Sequence, residues 1–245
     1  MRICPRNIAV ALLLSFVAVR AGAQAPPAQQ PDHETSAEVS FVGTTGNSST
    51  ESVGLGLSRF DHVDGWLLTS KAAYVNNSSA GELRAESIAL AFQGGKILTP
   101  KLSVFGKYGF LHDRFAGIES RNTVAAGEAY ILYETTAHKL TAEGALGYAS
   151  EERTTAPTLK NATWDMALLY DWKFSDTAEI TDDIRILFSL SDGGDWRSGN
   201  IFTLSAKLTT IFSLKFSNTI RYVNQPVPGF QSTDTITAVA LVAKF

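Results

Sequence analysis

Thiols are almost absent from this chain: its 245 residues include one cysteine, Cys4. That cysteine falls in a segment expected to be removed, so disulfides and cysteine-based metal sites are excluded from the remaining chain. Long apolar runs are missing too. After Val19 no stretch reaches the ~18 apolar residues of a membrane helix, which excludes a helical membrane protein. Charge of one sign is also lacking: the formal net charge is −3 and no basic block occurs, so nothing points to nucleic acid. The four histidines, His33, His62, His112 and His138, show no ligand spacing. No metal and no cofactor is expected. A mean hydropathy of +0.01 is what results when two faces of opposite character cancel.

What is present begins with an address. Arg2 and Arg6 precede an apolar run from Ile8 to Val19, and Ala21-Gly22-Ala23 offers a cleavage site. This is the order of a secretory signal peptide, expected over residues 1–23, with Arg20 leaving the exact cut open. Residues 24–35, rich in Pro, Gln and Ala, read as a flexible periplasmic linker. Residues 36–245 then keep one pattern, apolar and polar positions alternating in segments of ten to fourteen residues. Leu102, Val104, Tyr108 and Phe110 oppose Lys101, Ser103 and Lys107; Trp164, Met166, Leu168, Tyr170 and Trp172 oppose Asp165, Asp171 and Lys173. A period of two is the strand signal. Twelve such segments can be drawn, among them 122–134, 138–150 and 161–174. Connections alternate between tight and longer polar ones, with Gly46–Ser49 a short exception. The expectation is an all-β, antiparallel transmembrane barrel of twelve strands, with short periplasmic turns and both termini in the periplasm. A soluble β-sandwich or lipocalin-like barrel is the competing reading.

Aromatic spacing favours the membrane. Trp66 and Tyr74 lie eight residues apart on one face, as do Trp164 and Trp172. Eight tilted residues cover ~20 Å along the barrel axis, close to the apolar band of an outer-membrane barrel. Tyr148 and Tyr222 join the outer aromatic girdle; Tyr133 and Phe245 join the inner one. The last strand places Val239, Leu241 and Phe245 on one face. This ending resembles the signal read by the barrel-assembly machinery, which is therefore an expected partner together with outer-membrane lipids.

Alternation also nominates the lumen. Lys71, Lys107, Glu128, Glu143, Asp165, Asp171, Asp183, Arg185, Lys207, Lys215 and Arg221 are expected to point inward, whereas Asp182 falls on the lipid parity and signals a bulge or a parity error. Enzymatic readings are thinner. His112 with Asp113 suggests a lipase only if a serine joins them. Glu151-Glu152 and Asp182-Asp183 are acidic pairs expected to be solvated. Asp192, Asp195 and Asp234 could reach a divalent cation from the loops. Gly193-Gly194 reads as a turn.

The chain resembles the Gram-negative outer-membrane barrels of unknown function often called salt-induced outer-membrane proteins. The carriers are Gly43-Thr44-Thr45-Gly46-Asn47-Ser48, Asp113-Arg114-Phe115-Ala116-Gly117, Gly147-Tyr148 before Glu151-Glu152, and Tyr170-Asp171-Trp172-Lys173-Phe174-Ser175-Asp176. The resemblance implies fold and compartment and supplies no catalytic residues. Two functions stay open: a narrow passive pore for ions or small polar solutes, and an envelope-maintenance barrel with a plugged lumen. Neither is an enzyme.

Overall fold

The computed structural model describes residues 32–45, 50–79 and 82–245. The expected signal peptide and the linker up to residue 31 lie outside them. The described chain is all strand and turn: β1 His33–Thr45, β2 Thr50–Val63, β3 Trp66–Ser79, β4 Glu82–Ile97, β5 Leu102–Asp113, β6 Ile118–Glu134, β7 His138–Arg153, β8 Leu159–Lys173, β9 Ala178–Ser189, β10 Trp196–Lys207, β11 Phe212–Val223 and β12 Thr233–Lys244. Each of the twelve alternating segments has become one strand. β1 begins at His33, three residues before the expected edge of the barrel.

Consecutive strands pair antiparallel, and β12 pairs with β1 from Ser36↔Lys244 to Thr45↔Thr235, closing the barrel. The pairing continues past the last strand: Phe245 N–H donates to Thr35 O at 2.9 Å and Thr35 N–H to Phe245 O at 3.0 Å. Closure leaves no sheet edge, so backbone donors and acceptors are satisfied without water. Strand direction puts β1's start and β12's end at one rim, the terminal rim, with the turns after β2, β4, β6, β8 and β10. The opposite rim carries the remaining connections, of which Asn224–Ser232 is the longest described.

The two walls differ sharply. Val39, Leu55, Leu57, Leu68, Val124, Leu146, Leu168, Ile184, Leu214 and Leu241 all lie on the outside and stay exposed. Each such side chain gains ~1.5–3 kcal/mol on leaving water, so this belt requires an apolar surrounding. The girdle candidates Trp66, Tyr74, Tyr148, Trp164, Trp172 and Tyr222 share this outer parity through the registers. Tyr222 packs on Trp196 (4.9 Å between ring centroids) and Trp164 on Phe188 (6.1 Å).

Small residues line the inner wall beside the charged ones. Ala125, Gly127, Ala145 and Gly147 form a bare patch on β6 and β7. A Cβ on Gly127 would run into Gly144 and Ala145, so these strands approach where only glycine fits.

Two sequence expectations are corrected. Glu128 is on the outer wall, opposite Val104 and Gly144. The cause is a bulge between Ile131 and Tyr133, where one extra residue reverses sidedness along the strand. Tyr133 therefore faces outward as expected, and parity carried back from it misplaces Glu128. At Asp182 no irregularity exists: the register of β9 is unbroken on both sides. Asp182 lies on the outer wall and accepts a 2.6 Å hydrogen bond from Asn200.

Candidate functional site: the lumen and its loop-rich end

Ion pairs between strands that are not neighbours identify the interior, because such partners meet only inside the cylinder. Lys107 on β5 reaches over β6 and β7 to Asp165 on β8 at 2.9 Å. The bare patch of Ala125 and Gly147 beneath that path gives the lysine room. Arg185 on β9 bonds Glu143 on β7 at 3.2 Å, across Ala167 of β8, and Asp183 on its own strand. Lys215 on β11 bonds Glu38 on β1, across Ala240 of β12. An alanine under each bridge is the recurrent device: a larger side chain there would fill the space the bridge crosses.

The remaining lumen candidates are spread out. Lys207 donates to the carbonyl of Asp176 in a terminal-rim turn at 3.4 Å. Asp171 stands opposite Lys139 near the same rim. Lys71 is exposed on the inner wall and has no ion-pair partner among the described residues.

The densest polar assembly sits at the loop-rich end. Glu151, 3 % exposed, accepts from Arg121, from Arg153 Nε at 2.5 Å and from Arg197 Nη1 at 2.7 Å. Three guanidiniums from β6, β7 and β10 thus converge on one buried carboxylate. Asp195, also 3 % exposed, accepts from Asn161 at 2.9 Å, and its other oxygen lies 3.6 Å from Arg197 Nε. Arg121, Glu151, Asn161, Asp195 and Arg197 line a cavity of about 220 Å³ with Thr123, Thr163, Leu159 and Leu187. Arg221 on β11 bonds Asp113 on β5 at 3.3 Å. In a ring of twelve, β5 and β11 are diametrically opposed, so this pair spans the lumen.

Sequence reading missed this assembly. In sequence Glu151 reads as a solvated acid, because it lies just beyond the alternating segment 138–150. β7 in fact continues to Arg153, and carrying the parity of Glu143 onward turns Glu151 inward while Glu152 faces out. Alternation likewise separates Asp182, outside, from Asp183, inside. The loop carboxylates are not gathered for a cation: Asp192 accepts from Gly194 N–H at 2.8 Å, Asp195 lies among arginines, and Asp234 pairs in register with Arg221. His112 is held by structure, its Nδ1–H donating to Glu119 O at 2.6 Å and its Nε2 lying 3.6 Å from Glu86. A nucleophilic pair would need a serine at one of those nitrogens.

Asp195 lies in the β9–β10 connection, and burial pushes its carboxyl above the ordinary carboxylate range against the pull of Arg153. A raised folded pKa means that the folded state binds the extra proton, so stability falls as pH rises through that window. Asp195→Asn is therefore expected to gain stability over wild type at pH 7 and to lose the advantage at pH 4. Paired denaturant titrations in detergent read the difference; equal shifts at both pH values would contradict it.

Comparison with solved structures gives the fold its company. NanC porin superposes with a TM-score of 0.60 at 8% identity, covering 85% of this chain and 100% of that one. An outer-membrane channel from Pseudomonas putida F1 gives 0.57 at 11% identity, covering 89% and 97%. KdgM porin gives 0.51 at 12% identity, covering 86% and 99%. No curated protein sequence matches the chain. The shared architecture is the closed antiparallel barrel of these outer-membrane porins and channels. A family match covers residues 37–245, and the chain belongs to the family described as "Protein of unknown function, DUF481".

Proposed function

We propose that this barrel is a narrow passive pore of the outer membrane for ions and small polar solutes. Export by the signal peptide, docking of the last strand on the assembly machinery through Val239, Leu241 and Phe245, and a periplasmic terminal rim complete the reading. The observation that carries it is an inner wall with exposed side chains. Lys71, Ala73 and Ala91 on β3 and β4 are exposed although their parity is inward, and the Arg185 side chain is 43 % exposed. Space therefore remains inside the ring at those levels. Most lumen charges are compensated by ion pairs, so a permeant ion of either sign meets a nearly balanced wall.

The refolded protein is expected to give discrete conductance steps in a planar bilayer with little preference between cations and anions. Lys71→Glu, reversing an exposed lumen charge that has no ion-pair partner among the described residues, shifts the reversal potential in a salt gradient toward cation preference. A silent bilayer in several salts, both for the full chain and for the opened variant described below, overturns the pore. The second reading, a plugged envelope-maintenance barrel, is favoured by one observation, the Arg221–Asp113 bond across the loop-rich end.

A further inference from the structure

The connection Asn224–Ser232 does not extend away from the barrel. Val227 near its middle is 4 % exposed, which a freely solvated loop residue would not be. The segment meets three other connections of the same rim. Asn224 Nδ2 donates to Gly194 O, between β9 and β10, at 2.9 Å. Thr155 Oγ1, between β7 and β8, donates to Pro228 O at 3.1 Å. The Phe230 ring lies on Gly117, between β5 and β6, so closely that a Cβ there would come within 2.6 Å of Phe230 Cζ. Those partners are distributed over half the ring, from β5 to β10, so the segment crosses the opening.

Its sequence suits a stiff strap. Val227-Pro228-Gly229-Phe230 closes a turn, with Phe230 N–H donating to Val227 O at 2.9 Å and Gly229 at φ 93°. Proline second and a positive-φ glycine third are the requirements of a type II turn. Pro226 removes a further degree of freedom. Beneath the strap lies the Arg221–Asp113 bond.

We infer that residues 224–232 form a strap closing the loop-rich end of the lumen, and that solute passage requires its displacement from Gly117 and Thr155. The inference rests on the pore reading and names that pore's regulated constriction. The base of the strap is tied to the flanking strands, Asn224 N–H donating to Trp196 O at 3.0 Å and Tyr222 Oη to Asn224 Oδ1 at 2.9 Å, whereas the contacts of Pro228 and Phe230 that reach across the opening are one hydrogen bond from Thr155 and the ring packing on Gly117. The hinges are the strand ends Val223 and Thr233, paired respectively with Arg197 and Tyr222.

Two variants of the full chain, both with Cys4→Ser, test this in planar bilayers. The first replaces Pro226–Phe230 by two glycines. The second, Thr155→Cys with Pro228→Cys, locks the strap when oxidised and frees it when reduced. Resistance of the folded band to SDS at room temperature confirms that each barrel has closed. Supporting results are a several-fold larger conductance or open time in the shortened variant, together with loss of openings in the oxidised pair that reduction restores. If wild type conducts and both variants match it in either redox state, the strap is not the constriction and the pore stands. If neither wild type nor the shortened variant conducts, strap and pore readings fall together.

Discussion

Glu151→Leu is expected to destabilise the folded barrel by about 3–5 kcal/mol, the usual cost of deleting one partner of a buried ion pair. The arithmetic is local. Arg121, Arg153 and Arg197 converge on Glu151, whose side chain is 3 % exposed, while the arginines themselves are only 11–20 % exposed. Removing the carboxylate leaves three cations facing one another with Asp195 as their remaining buried counter-charge. Glu151→Gln keeps an acceptor but loses the charge, so its loss should be smaller than that of Leu. Tryptophan fluorescence during denaturant unfolding in detergent measures both. A loss below about 1 kcal/mol for Leu would place this cluster with ordinary solvated surface pairs.

Adjacent positions on β8 should respond in opposite ways to the same substitution. Leu168 lies midway between Trp164 and Trp172 on the outer wall, whereas Leu169 is on the inner wall opposite Thr141 and Asp183. Leu168→Lys places an ammonium at mid-bilayer depth and should cost ~2–4 kcal/mol. Leu169→Lys sets the same group in the lumen beside Asp183, where the loss should be smaller and cation conductance reduced. Refolding yields and unfolding midpoints in lipid vesicles compare the pair. Equal penalties would mean that the two walls meet the same surroundings.

The fold was legible because a membrane barrel is written in period two from end to end. Trp164 to Trp172 gave both the face and the thickness of the belt, and the closing strand ended on an aromatic. The candidate site was legible only where alternation ran unbroken. Lys107, Glu143, Asp165, Asp183, Arg185, Lys215 and Arg221 were nominated from parity, and the structure shows what parity cannot: which charges meet. Pairing depends on barrel shear and on the alanines that leave room for a crossing side chain. Glu128 failed because a bulge carries no residue signature in β6. Glu151 and its arginines were hidden because strands run two to four residues beyond the expected edges, into stretches polar enough to resemble loops. Glu38 was passed over although it shares the inward parity of Ser36 and Ser40.

The bond between Lys215 and Glu38 has a consequence for how the cylinder comes apart. Neither residue belongs to β12, yet their side chains meet over its inner face at Ala240. The terminal strand is thus enclosed on its inner side by a clasp joining the strands that flank it. Unzipping the seam between the first and last strands must break that clasp along with the backbone ladder, so the seam has a fastening of its own.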